Sequence, residues 1–551
     1  MDFELINSTI AKIPFVKKIN SIERREFSIV GNVEILLEEL DTPLTFDFQI
    51  NSEYPLKSYD SESINFSNKE LVSCNHVMQN GTICIHTSHS TSISEKLIID
   101  LNALKDWIIK YVVNKDEDLN YEHIVVTESP VNDTYYSFMF TECKESFYKD
   151  ELGTVKLSLF NDGVLRGKKN FNFFIQKFAP ITGEPKNCQW NQYYNKQRAH
   201  LQGLYYYIED APVTNGRFVY TNWSELSLSQ SLLNLLHKYE RENRETLSGR
   251  VIPLFIGYKT VGTEIHWQAA LLEIGKFPIK GVPERINGRK TGQWNSCLVD
   301  TDIKWGLTRN SSYQYFFGRG VFSKALTEKK ILIIGVGAVG SMIAQTLTRG
   351  GCKYIDFIDH DIKEPENVCR SEYRFANGIT SKTVELEKNL YEISPFLNSI
   401  KLNDNYFETL IKTFYSDTKH QKKFIDDLKP YDLIFDCSTD NDLMYVLNSL
   451  KLETDLINIS ITNHAKELIC AFYPNIYKFV NNQFSNVLEN DVEDLYEPTG
   501  CWNPTFKASY NDINVLVQLA LKHINRIVSG EKAKNNFVIH EADNSLKIVE
   551  F

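Results

Sequence analysis

The sequence predicts an α/β fold, and three observations carry that prediction. An apolar run over residues 331–334 ends in Gly335, Gly337 and Gly340 and opens into a helix-forming stretch, Ala338–Arg349. A second apolar run, Tyr354–Ile358, closes on Asp359-His360-Asp361. A third, over residues 432–436, leads into Cys437-Ser438-Thr439-Asp440-Asn441. Strand, glycine turn and helix N-terminus make a place that holds phosphate, because backbone N–H groups and the helix dipole both face the anion. The first acid follows the glycines at about twenty residues, the usual distance to a ribose ligand.

The elements divide into three units: 1–130, 131–305 and 306–551. In the first, residues 1–22 predict a helix, and 26–37, 44–50 and 64–66 predict strands. Tyr54-Pro55 marks a bend and Asn80-Gly81 a turn. Residues 97–113 predict an amphipathic helix with Leu101, Leu104, Trp107, Ile108 and Tyr111 on one face. The unit is thus α+β. In the second, the helical 224–242 and strand-like 251–258 predict a further α/β unit, a linker or scaffold without a catalytic constellation. In the third, strands follow at 456–462 and 467–473, and a closing helix at 512–528.

Composition limits the function. The net charge is −11, from 60 basic and 71 acidic residues, with no long basic run, which argues against nucleic-acid binding. The N-terminus lacks the pattern of a signal peptide, and no run of about twenty apolar residues predicts a membrane span. A cytoplasmic protein is expected. None of the ten cysteines forms C-x-x-C, so neither a zinc site nor a disulfide framework is expected.

Glu366-Asn367-Val368-Cys369-Arg370 and then Lys382 separate the second apolar run from the third. With the glycine loop, Asp359 and Asp440, these five separated elements resemble the ThiF/MoeB and ubiquitin-activating superfamily. There are two departures: Gly378 stands four residues before Lys382, and the Asp436–Asn441 motif carries one extra residue. The resemblance implies a Rossmann-like adenylating domain that uses ATP and Mg²⁺. Gly335, Gly337 and Gly340 would approach phosphate through their backbone, and Asp359 would hold the ribose. Asn367, Arg370 and Lys382 would surround the triphosphate, Arg370 and Lys382 as catalytic cations. Asp440 would hold the metal, since Mg²⁺ takes oxygen ligands. Arg309 and Arg319 are both candidates for an arginine that reaches the partner subunit's site. Asp361 reads as a cap of the following turn.

The order helix, β-meander, Tyr-Pro, His76, Gly81-x-Ile83-Cys84 and helix resembles ubiquitin-conjugating enzymes. The family's His-Pro-Asn is absent: Asn75 precedes His76, and Val77 follows it. Cys84, with His86 and His89 nearby, is a candidate nucleophile, while His76 reads as structural. Cys501 is the other, in Gly500-Cys501-Trp502-Asn503-Pro504-Thr505-Phe506, a segment that reads as an exposed loop and resembles the thioester region of bacterial activating enzymes.

The whole order resembles activating–conjugating fusion enzymes of bacterial antiphage cyclic-oligonucleotide signalling (CBASS) operons. That resemblance implies a homodimer and a protein donor with a free C-terminus, either a ubiquitin-like protein or a cyclic-nucleotide synthase. It implies adenylation, thioesters on Cys501 and then Cys84, and conjugation to a target amine. The rivals are a sulfur-carrier adenylyltransferase, a nicotinamide-dependent oxidoreductase and a non-catalytic scaffold.

Overall fold

The computed structural model describes the chain except residues 1, 58–60, 117–123, 215–217, 227, 261–263, 277–278, 297–300, 400–405, 489–507 and 543–544. Its first unit is a four-stranded antiparallel sheet covered by two helices. Helix α1 (Phe3–Ala11) precedes strands β1 (Val16–Arg24), β2 (Ser28–Ile35), β3 (Leu44–Asn51) and β4 (Ile64–Ser67), and α2 (Ile93–Ile108) closes the unit. Residues 1–22 are therefore not one helix. Val16, Ile19 and Ile22 recur every third residue, a helical spacing, yet they lie on a strand. Register shifts between Val16 and Lys18 and between Ile19 and Ser21 change the side-chain parity, so these three are the less exposed positions of β1.

The second unit is built on one mixed sheet. Strands β5 (Thr134–Phe140), β6 (Leu152–Leu165), β7 (Lys168–Pro180), β8 (Leu201–Glu209), β9 (Val251–Lys259), β10 (Ile265–Glu273) and β11 (Leu307–Asn310) run in the order β10-β9-β8-β6-β7-β5-β11. Helix α3 (Gln230–Leu247) packs Leu232 and Leu236 over one face, and an aromatic cluster around Phe178, Tyr205 and Trp267 fills the other. The helix starts later than residue 224 because Asn222 and Glu225 close a separate capped turn, Leu226 is extended, and Ser229 then caps α3.

The third unit contains β12 (Lys330–Ile334), α4 (Ala338–Arg349), β13 (Tyr354–Ile358), α5 (Lys382–Ile393), β14 (Leu433–Asp436), α6 (Asn441–Ser449), β15 (Asp455–Ile461), β16 (Glu467–Phe472), α7 (Ile476–Leu488), α8 (Tyr510–Val528), β17 (Phe537–Ala542) and β18 (Ser545–Glu550). The sheet order is β13-β12-β14-β15-β16-β17-β18. The first four strands are parallel and the last three pair antiparallel. Both faces are covered. Helices α4, α5 and α8 contribute to one apolar cluster, and α6 and α7 to the other. Strands of this kind read as continuous apolar runs, which is why 331–334 was legible. The chain reverses sheet direction between β12 and β14, the place where open α/β sheets leave a crevice at the carboxyl ends of their strands.

The second and third units touch through Asn191, whose N–H donates to the Pro395 carbonyl at 2.7 Å, and through Tyr193 stacked on Tyr391 at 5.4 Å. Among the described residues no helix is long and apolar enough to cross a membrane.

Candidate active site

Three loops meet at the carboxyl ends of β12, β13 and β14. Gly335 leaves β12 with φ of +78°, and a Cβ built on it would lie 2.7 Å from the Cα of Ser438. A Cβ on Gly340 would lie 1.9 Å from the Gly335 carbonyl oxygen, so the first turn of α4 sits directly on the loop. Only glycine fits either position. Gly337 is the N-cap of α4 and has no side-chain cap, and among the described residues nothing stands where its Cβ would project. The first-turn N–H groups of a twelve-residue helix thus lack a capping side chain, which suits phosphate oxygens.

Asp359 locks this loop. Its Oδ2 accepts from the Val336 N–H at 2.7 Å and its Oδ1 from the Asp361 N–H at 2.8 Å. Each carboxylate oxygen keeps a further lone pair with which to accept a ribose hydroxyl. The local capping role read for Asp361 thus falls to Asp359. The Asp361 carboxylate instead pairs with Lys382 Nζ at 2.7 Å. Lys382 opens α5 and is 8% exposed, its N–H bonded to the Asp361 carbonyl.

Asn367 caps its own turn, its Oδ1 accepting from the Glu364 N–H at 3.0 Å. Arg370 follows one turn later, half-buried, its N–H donating to the Asn367 carbonyl. The Glu366 carboxyl lies below its ordinary range, through its own backbone N–H and Glu364, with the Arg370 charge adding.

Asp440 is exposed and is the N-cap of α6; both cap bonds, from the Asp442 and Leu443 N–H groups, go to Oδ1, so Oδ2 takes no part in the cap. An oxygen of this kind fits a hard divalent cation. The Asp359, His360 and Asp361 donor atoms lie within 4.8 Å of one another and could also hold a cation, although their carboxylates already serve Val336 and Lys382. Beneath the loop, Asp436 is buried; its Oδ1 accepts from Ser438 and its Oδ2 from Asn458 Nδ2 at 2.9 Å. Burial raises the Asp436 carboxyl above its ordinary value, against the lowering by these bonds.

The structure does not gather every candidate here. Cys84 belongs to the first unit, half-buried, with its N–H bonded to the His76 carbonyl and its Sγ 3.9 Å from His86 Nε2. Burial pushes the Cys84 thiol above its ordinary value. Trp107 Nε1 donates to the Asn75 carbonyl at 3.0 Å, and His76 packs on Tyr111 at 5.1 Å, a structural setting for both. Arg309 lies on β11 with Glu128 at 3.7 Å, and Arg319 is exposed after Tyr313–Phe317. Cys501 lies outside the described residues.

Residues 309–483 match the model of the ThiF family. The chain is similar to the "ATP-dependent ubiquitin transferase-like protein Cap2" of Enterobacter hormaechei subsp. hoffmannii, 26% identical over 383 residues. That match covers 65% of this chain but 62% of the relative, so the chain spans less than two thirds of that protein's length. It is also similar to the ubiquitin-like modifier-activating enzyme 5 of Dictyostelium discoideum, 28% identical over 22% of this chain and 32% of that one. Among solved structures, E. coli MccB with ATP is 15% identical, with a TM-score of 0.29 over 41% of this chain and 64% of that one. The C-terminal α/β unit is a ThiF-type, Rossmann-like domain.

Proposed function

We propose that this protein activates the C-terminal carboxylate of a protein donor with ATP, and then passes the acyl group along two thiols to a target amine. The observation that carries the reading is the meeting of the Gly335 loop, the Asp359 carboxylate and the Ser438–Asp440 turn at one crevice. ATP is a substrate here. The loop N–H groups and α4 would face its phosphates, Asp359 its ribose, and Arg370 and Lys382 the developing charge. For Lys382 to reach phosphate it exchanges Asp361 for the nucleotide. Asp440 would hold Mg²⁺, which would supply positive charge to offset that of the phosphates.

The donor carboxylate oxygen attacks the α-phosphorus, the bond to the β-phosphate oxygen breaks, and pyrophosphate leaves. The Cys501 thiolate then attacks the acyl carbonyl and AMP leaves. The Cys84 thiolate attacks that thioester and frees Cys501, and the target amine finally displaces Cys84 to form an amide. His86, whose Nε2 is 3.9 Å from the sulfur, would accept the Cys84 proton. The first unit would serve as the conjugating domain (1–130), the second as linker (131–305) and the third as activating domain (306–551), in a cytoplasmic homodimer with a role in antiphage defence. The donor is a ubiquitin-like protein or a cyclic-nucleotide synthase.

The test is ATP–pyrophosphate exchange together with intact-mass detection of reductant-sensitive adducts, using Mg²⁺ and each candidate donor. Exchange and sequential adducts on Cys501 and Cys84 are expected. Exchange that persists while Cys84→Ala completes the biological reaction points to sulfur-carrier activation. No adduct with any donor defeats the relay.

A further inference from the structure

The first unit buries a charged cluster that a sheet-and-helix core does not require. Lys96 and Asp100 on α2 are 1% and 0% exposed, and Glu62 is 9% exposed. Lys96 Nζ pairs with Glu62 Oε2 at 3.2 Å and with Asp100 Oδ1. Tyr54 Oη donates to Asp100 Oδ2 at 2.9 Å, and Lys57 reaches Glu62 at 2.6 Å from the rim. Desolvating such groups costs several kcal/mol per ion, and well-packed apolar residues of similar volume often do as well or better.

Among the described residues the cluster has one further partner, Thr87. Its N–H donates to Glu62 Oε1 at 3.1 Å, its hydroxyl donates to Asp100 Oδ1 at 2.7 Å, and Lys96 Nζ donates to the same hydroxyl. Thr87 stands three residues after Cys84 and one after His86. Upstream, Cys84 is fixed by its N–H bond to His76 and by the Ile83 N–H bond to Phe66. Downstream, Ser90 is buried and its hydroxyl donates to Glu95 Oε2 at 2.7 Å. The segment therefore has Thr87 and Ser90 turned inward, while His86, Ser88 and His89 stay exposed.

We propose that Thr87, clamped by the Lys96–Asp100–Glu62 cluster, is a positioning residue that sets His86 against the Cys84 sulfur. The inference rests on Cys84 being a working nucleophile, as in the proposed relay, and deepens that reading. The cluster's charges supply the directional bonds that an apolar anchor lacks. A loop held only by packing would let the 3.9 Å approach of imidazole to thiol drift.

The test uses the full chain and iodoacetamide, with alkylation of the Cys84 peptide followed by mass spectrometry, so that neither ATP nor a donor is needed. His86→Ala is expected to slow alkylation about fivefold in the wild-type background and to have no further effect once Thr87→Val is present, the coupling of residues acting as a unit. Thr87→Ser, which keeps the hydroxyl, should restore the His86 dependence. Should Thr87→Val fail to fold, Thr87→Ala carries the same comparison. A purely structural Thr87 would give additive effects, and additivity overturns the proposal. So does equal loss in Thr87→Ser and Thr87→Val. Intact coupling without any thioester would defeat the relay alone; a working relay with additive effects would defeat the positioning role alone.

Discussion

Gly335 and Ser438 touch backbone to backbone: a Cβ on the first would stand 2.7 Å from the Cα of the second. The contact joins the loop after β12 to the loop after β14, and so fixes how far the glycine turn stands from Asp440. The Asp359 carboxylate closes the third side by accepting from Val336.

Gly335→Ala therefore meets two obstacles. Its φ of +78° strains any side chain, and its Cβ overlaps Ser438. The strain costs on the order of 1–3 kcal/mol, and displacement of the loop by an ångström is expected to lower ATP–pyrophosphate exchange about a hundredfold. Gly337→Ala separates the two effects. Among the described residues nothing lies within 4 Å of its Cβ, and its φ is −64°, so thermal stability should hold while exchange falls. Equal melting of both variants would contradict this division.

Asp440 caps α6 and, in the proposed reaction, would also hold the metal. As N-cap of α6 it can be replaced by asparagine, which caps equally well, while alanine loses about 1 kcal/mol. As the proposed metal ligand it would have no neutral substitute. Asp440→Asn is expected to keep the melting temperature and to lose exchange about a hundredfold or more, with Asp440→Ala equally inactive and less stable. Full exchange by Asp440→Asn would remove this residue from the metal site.

Lys96→Met leaves the buried Asp100 carboxylate without its ion partner. Breaking a buried pair in this way costs about 3–5 kcal/mol. Hydrogen exchange of peptides within Ile93–Ile108 should accelerate strongly, and the Lys96→Met, Asp100→Leu double variant should recover part of the protection. Unchanged exchange in the single variant would show that the cluster bears no weight.

The site was legible where chemistry and periodicity coincide. Continuous apolar runs and three glycines identify β12, α4 and β13 because a doubly covered parallel strand has no polar face to confuse the pattern. Residues 1–22 misled because the bulges of β1 give a strand the three-residue recurrence of a helix. The local capping bond read for Asp361 is made by Asp359, because both lie within one D-x-D and only the fold shows which carboxylate faces Val336. The Thr87–Lys96–Asp100–Glu62 cluster was not legible: Lys96 and Asp100 are spaced i,i+4 like any solvated helix pair, and nothing local shows that they point inward.

Glu62 makes the cluster sensitive to acid. Burial raises its carboxyl, but Lys57, the Thr87 N–H and Lys96 outweigh burial and hold it below its ordinary value of 4.5. Because the folded value lies below the unfolded one, the carboxylate's contribution is complete above the unfolded value. It is lost as pH falls through the folded value. Glu62→Gln cannot titrate, so the gap in melting temperature between wild type and this variant should be constant from pH 7 to about 5 and should close below about pH 4.5. A gap that stays the same into acid would show that Glu62 gains nothing from Lys57, Thr87 and Lys96 on folding.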